Sequence, residues 1–363
     1  MQDHPLSVLP TEKKPPYISC LLACVALLYI THLELFPLFN FIGLGALSAF
    51  CVLYAVLLVT SDVRFIPLPP VICAVSLLAR GFFADGFTEN ILQGLVNFVF
   101  CLLAALALYA CTVKKASKSV TFAVLCVFYA MLLAAHVCFL IERTYGSFSL
   151  EILGKAVDEL TNYAEKFFTA FLGNAAQAPL TGTKPAAEAD AAALEKAGKT
   201  LAASVRAALP SFAVCFSMMG SALTLLICKP IVCTMHAQKA FLDGRVWRFS
   251  VSSVSVIMFY VSYIIYFITG LAGSNSVAFI AFMNLSTILT YPFAYLGLRF
   301  LNGVLYTKTK SRAAAAAILA FGFVILVLLF GLGGLLITVF AFAGAAAQLN
   351  ENLRSRFSGI NPQ

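Results

Sequence analysis

Five ionisable side chains stand within or at the ends of long apolar runs: His32, Glu34, Arg80, Asp85 and His136. An ionisable group at membrane depth is costly, so each is a functional candidate by default. Two imidazoles, two carboxylates and a guanidinium offer both charge signs and several hydrogen-bonding edges. That set suits pairing with a small polar ligand. Gln93 and Asn97 add two carboxamides in a neighbouring run. The competing reading is that such side chains snorkel to headgroups or form ion pairs near the interface.

Other chemistries fail on spacing. Most of the 11 cysteines lie in apolar runs, where a thiol acts as a small hydrophobe. Cys228, Cys233 and His236 match no C-x-x-C metal spacing. Gly198-Lys199-Thr200 mimics the end of a P-loop, but Ala193 replaces the upstream glycine. His32-Leu33-Glu34 lacks the second histidine of H-E-x-x-H, and no G-x-S-x-G elbow occurs. The sequence therefore predicts no cofactor, no metal and no enzymatic activity.

The elements that must position these residues are membrane helices. The chain is 61% hydrophobic and 11% charged, against about a quarter charged in soluble domains. Apolar runs of about 20 residues match the bilayer core, and the absence of period-two alternation argues against an outer-membrane barrel. Runs fall at 17–36, 41–60, 65–83, 91–113, 120–141, 209–234, 250–270, 277–306 and 313–347. The last would rise about 50 Å as one helix, so Gly331, Gly333 and Gly334 predict a hairpin near its middle. The predicted fold is all-α: a polytopic helical membrane protein of about nine or ten segments. Lys13 and Lys14 precede a first run that ends without a cleavage site, so it is expected to stay as a membrane helix.

The net charge of +8 sorts by side rather than marking a nucleic-acid surface. Arg64, Lys114, Lys115, Lys118, Lys229, Lys239, Arg245, Arg248, Lys308, Lys310 and Arg312 all fall in alternate turns. That pattern predicts a multi-pass protein of the bacterial cytoplasmic membrane with both termini cytoplasmic. Trp247, between two arginines, reads as an interfacial anchor at the entry of a helix. Pro67, Pro69 and Pro70 predict an irregular, extended entry to the third segment, buried in the bundle.

The predicted organisation is N-terminal membrane helices over 1–141, an extracytoplasmic amphipathic stretch over 142–208, and C-terminal membrane helices with a cytoplasmic tail over 209–363. In the middle part, Leu153, Val157, Leu160, Ala164, Phe167 and Phe171 recur at three-and-four spacing. Two amphipathic helices resting on the membrane surface account for this, as does a lid over an outward-facing cavity. The topology brings the five candidate residues together in the extracytoplasmic half.

The C-terminal part carries an ordered set of features. Leu209-Pro210 opens a helix, Trp247-Arg248-Phe249 leads into another, and Asn284 lies in the next. A basic turn, a Gly-containing hairpin and a charged tail from Glu351 to Arg356 follow. This order resembles the YybS-like family of bacterial membrane proteins. That family is distantly similar to the substrate-binding subunits of energy-coupling-factor vitamin transporters. The resemblance implies capture of a small molecule from the outer side and docking on a transmembrane coupling subunit with ATPases. One feature departs: the A-x-x-x-A contact face of such subunits is only approximated, since Ala23 is followed by Leu27. The alternative function is a scaffold in cell-envelope assembly or division. The expected partners are the lipid bilayer, a small-molecule ligand, and a membrane protein partner or coupling subunit, with no nucleic acid.

Overall fold

The computed structural model describes residues 16–33, 41–60, 64–83, 87–177, 191–235, 237, 241, 249–272, 276–330 and 333–357. Helix α1 (Pro16–Leu28) ends in a π-helical turn, Tyr29–Leu33. It is followed by α2 (Phe41–Thr60), α3 (Leu68–Phe83), α4 (Phe87–Val113), α5 (Lys118–Tyr145) and α6 (Leu150–Gln177). Then come α7 (Ala191–Thr234), α8 (Ser253–Ala272), α9 (Val277–Thr309), α10 (Arg312–Phe330) and α11 (Gly333–Phe357). No strand occurs among the described residues. Among the described residues, seven helices are long and apolar enough to cross a membrane, and Tyr17–His32, Leu68–Ala79 and Ala313–Gly322 are shorter apolar ones. The all-α polytopic fold expected from the apolar runs is the fold observed. The run 313–347 forms two helices, as the glycines near its middle predicted; residues 331–332 between them, and Trp247 with its flanking arginines, lie outside the described residues.

Helix ends follow local chemistry. Ser117 caps α5 by accepting from Val120 N–H at 3.3 Å, and Ser276 caps α9 by accepting from Phe279 N–H at 3.1 Å. Such caps stabilise a helix by about 1 kcal/mol. Two basic turns are built alike. Lys115 and Lys310 each take φ 54°, a left-handed conformation unusual outside glycine, shortly before the capping serines Ser117 and Ser311.

The entry is irregular only as far as Pro67, which lies in a bend, and α3 has begun by Leu68. Pro69 and Pro70 sit in the first helical turn, where backbone N–H groups have no intrahelical acceptor, so their missing donors cost nothing. Val71 N–H closes the turn on the Pro67 carbonyl at 3.0 Å. The bend before it is not uniformly buried either, since Pro67 is exposed and Pro69 is buried. Its carbonyls are nevertheless satisfied within the protein. Cys20 Sγ donates to Phe65 C=O at 3.6 Å and Tyr54 Oη to Ile66 C=O at 3.2 Å. Non-helical backbone at membrane depth requires such internal partners.

The chain divides into two compact units. The first comprises Met1–Gly146 with Phe216–Phe249, the second Ser147–Cys215 with Ser250–Gln363. In the first, α2 is enclosed on all sides: Phe50, Cys51, Val52, Ala55 and Val56 are each at most 1% exposed. An all-round apolar helix is what such a central position selects. Ser48, Tyr129 and Thr224 close a buried triangle of hydroxyls with edges of 2.7–3.1 Å, joining α2, α5 and α7. Gly220 lets the Tyr129 ring lie against α7, since a Cβ there would approach the ring to 2.6 Å.

In the second unit, α9 and α11 cross backbone to backbone. A Cβ on Gly297 would meet the Phe340 carbonyl, and one on Gly344 would meet the Phe293 carbonyl. Helices in lipid gain little from hydrophobicity and associate through such close small-residue contacts. Beside the crossing, the Phe259 ring packs on Tyr263, Phe293 and Phe342 with centroids 4.8–5.1 Å apart, and Tyr263 Oη bonds Thr290 Oγ1 at 2.7 Å. The tyrosines of α8 are therefore packing residues.

Pro210 does not open a helix, because α7 is continuous through it over 44 residues. The Asn284 carboxamide of α9 explains how. It accepts from Ser211 N–H at 3.0 Å and donates to Ala207 C=O at 2.7 Å. An undisturbed helix would pair those two backbone groups with each other. Asn284 thus satisfies the backbone beside the proline.

At about 66 Å, α7 is twice the length of a bilayer core. Helix α6 runs antiparallel beside residues 191–208 of α7. Arg206 pairs with Asp158 at 2.6 Å, and Gly198 lies against Thr169 and the Glu165 carbonyl. The apolar stripe of α6 is only partly used: Leu153, Val157 and Ala164 are half-buried, but Leu160, Tyr163 and Phe167 are 47%, 70% and 54% exposed.

Candidate functional site

The first unit gathers polar side chains from α1, α3, α4 and α5 around the π-helical turn of α1. A π turn widens the helix and displaces the i→i−4 ladder, a local feature often retained at functional sites. Thr31 and His32 lie within it. Gly94 of α4 passes directly over the turn: a Cβ there would stand 2.8 Å from Thr31 C=O and 2.9 Å from Leu77 Cδ2. The missing side chain at Gly94 is what allows α4 this approach.

Hydrogen bonds then fix the roles. A carbonyl can only accept, so the Asn97 atom 3.2 Å from Ile30 C=O is its amide nitrogen. Its Oδ1 therefore faces His136 Nε2 at 2.7 Å, and that imidazole nitrogen carries the proton. His136 and Asn97 are 1% and 0% exposed, and Gln93, one turn before Asn97, is 1% exposed. On the other side of the turn, His32 Nε2 bonds Ser76 Oγ at 2.9 Å, and Thr31 Oγ1 lies 3.2 Å from Cys73 Sγ. Thr31 Oγ1 also donates back to Leu27 C=O at 2.8 Å, the usual internal partner of a hydroxyl on a membrane helix.

Of the five candidate residues, His32 thus lies in the π turn and His136 is linked to it through Asn97. Arg80 lies on α3 one turn beyond Ser76. Glu34 and Asp85 lie outside the described residues. Gln93 and Asn97 occupy the buried face of α4. Thr31, Cys73 and Ser76 join the cluster without a motif that marks them in the sequence. The Thr31-His32 pair was the available signal, two adjacent polar residues near the end of an apolar run. The π turn has no sequence signature of this kind.

The cluster consists of carboxamide, imidazole, hydroxyl and thiol groups. Such groups donate and accept hydrogen bonds in both directions and suit a ligand that presents both edges. Among the described residues, no three His, Cys, Asp or Glu side chains come together in a group that could hold a metal ion.

No curated protein and no solved structure matches the chain. The model of one family, described as predicted membrane protein (DUF2232), covers residues 24–340, from α1 into α11 and across the π-turn cluster, and the chain belongs to that family.

Proposed function

We propose that the protein binds a small polar solute at the π-turn cluster and serves a transport-related role in the bacterial cytoplasmic membrane. The observation that carries this is the convergence of His32, Ser76, Gln93, Asn97 and His136 from four membrane helices on one widened turn. Polar groups at that depth are expensive, and a purely architectural bundle needs few of them. The sorting of basic residues supports placing the cluster in the extracytoplasmic half with both termini cytoplasmic. The resemblance to YybS-like proteins, and through them to energy-coupling-factor subunits, supports a separate coupling subunit as partner. The role involves no covalent step.

The test is a thermal-shift screen of the purified protein against nucleosides, vitamins and other small polar metabolites. At least one is expected to raise the melting temperature, and His32→Ala, which alters a half-buried side chain, is expected to remove the gain without unfolding the protein. A screen with no shift would count against the reading.

A second reading is a scaffold that docks an envelope partner. It is favoured by the exposed apolar stripe of Leu160, Tyr163 and Phe167 on α6. Under it, Tyr163→Glu is expected to abolish co-purification of a specific membrane partner while leaving any solute-induced shift unchanged.

A further inference from the structure

Helix α7 keeps its course through Pro210, but side chains hold it together there. Proline has no N–H, so the Arg206 carbonyl has no donor four residues on, and the ring crowds that carbonyl. The Ala207 carbonyl accepts from Asn284 Nδ2 at 2.7 Å. Ser211 N–H, the donor that would close on Ala207 in a regular helix, goes to Asn284 Oδ1 at 3.0 Å. The next carbonyl, Ala208, accepts from the Ser211 hydroxyl at 2.8 Å. The second N–H of the Asn284 carboxamide donates to Ile280 C=O at 2.9 Å and ties it to its own helix, α9.

A proline and an inserted side chain are two of the few causes of sharp helix bending, and here they fall on adjacent residues. Together they allow two arrangements. With the carboxamide inserted, it takes up both the Ser211 and the Ala207 backbone groups. With it withdrawn, those two groups bond each other as in a regular helix, and Asn284 keeps Ile280 C=O. Partners are exchanged, and no further backbone group is stranded. A packed element with two such arrangements is what a conformational switch requires. The segment before the bend is tied to α6 by the Arg206–Asp158 pair and the Gly198 contact. Helix α6, with its exposed Leu160, Tyr163 and Phe167, therefore moves with it. We propose that Ala207–Ser211 is a hinge in α7 and that Asn284 is its latch, inserted in one position of the α6–α7 arm and withdrawn in the other. The device lies wholly within the second unit and does not depend on the π-turn cluster.

The experiment is double electron–electron resonance on the full chain in nanodiscs. The spin labels are carried by a ketone-bearing noncanonical residue, because the chain has 11 cysteines. One label stands at Lys196 on the arm and the other at Tyr295 on α9, both exposed positions. Lys196 lies about 16 Å along the helix from the hinge, so a change of about 20° in bend moves it by roughly 6 Å. Asn284→Leu, which cannot insert, is expected to shift the arm distance by that amount. A reference distance between Ile257 of α8 and Tyr295 of α9, neither of which is on the arm, is expected to stay the same. Pro210→Ala returns a donor to the Arg206 carbonyl and is expected to narrow the arm-distance distribution relative to the natural protein. This second variant gives a readout even where Asn284→Leu does not fold. An arm distance unchanged in Asn284→Leu would overturn the latch. An equal shift of the reference distance would mean general repacking and would overturn it as well. An unchanged distribution width in Pro210→Ala would overturn the hinge.

Discussion

Gly344→Val is expected to prevent the second unit from folding as a compact body. The substitution places two methyl groups where α9 and α11 touch through backbone atoms: the Gly344 Cβ position already meets the Phe293 carbonyl and stands 2.5 Å from Gly297 N. Backbone cannot step aside as a flexible side chain can, so the helices must separate. Overpacking typically costs about 1–3 kcal/mol, and a backbone clash lies at or above the top of that range. Separation then exposes Ala341, Ala345 and Phe293, all fully buried at the crossing. It also opens the aromatic cluster around Phe259. The measurement is size-exclusion behaviour and thermal melting of the detergent-purified protein, with limited proteolysis to show which unit opens. Gly303→Ala is the control. It lies in the same helix α9, and a Cβ there meets nothing within 4 Å. Alanine is intrinsically favoured over glycine in a helix by about 1 kcal/mol, so this variant is expected to match or exceed the natural protein. Equal melting of Gly344→Val and Gly303→Ala would show that the crossing contributes little.

Much of the membrane architecture was legible because it depends on length and hydropathy, which are properties of the chain itself. The apolar runs became helices, and 313–347 formed two of them, meeting at the glycines near its middle. What was not legible depended on partners distant in sequence. Pro210 reads locally as a helix start, yet α7 passes through it because Asn284, 74 positions later, takes up the Ser211 and Ala207 backbone groups. Pro69 and Pro70 read as helix breakers, yet a first turn tolerates them and Cys20 and Tyr54 serve the carbonyls before it. At the candidate site, the charged and polar residue types flagged His32, His136, Gln93 and Asn97. The geometry that joins them is the π turn and the Gly94 approach. Both arise from packing between α1 and α4, to which residue types in either helix alone give no clue.

Asn97→Leu offers the sharpest discrimination between a structural hydrogen-bond network and a binding site. Leucine has nearly the shape of asparagine but bonds neither Ile30 C=O nor His136 Nε2–H. Each stranded buried group costs about 1–3 kcal/mol in soluble proteins, whereas interhelical bonds in membrane proteins average only about 0.6 kcal/mol. The larger range is expected here, because Asn97 bridges two helices at once and is fully buried. A drop in melting temperature is therefore expected. His136→Leu removes the other member of the pair and should destabilise less, since Asn97 keeps its bond to Ile30. The double variant tests coupling. With both polar partners replaced by apolar ones, His136 no longer strands a donor, so the combined loss should fall short of the sum of the single losses. Solute-induced stabilisation answers the remaining question. If the cluster only joins helices, a double variant that regains stability also regains any thermal shift seen with the natural protein. If the cluster is the binding site, the shift stays absent however much stability returns, because the ligand's partners are gone while the packing is intact.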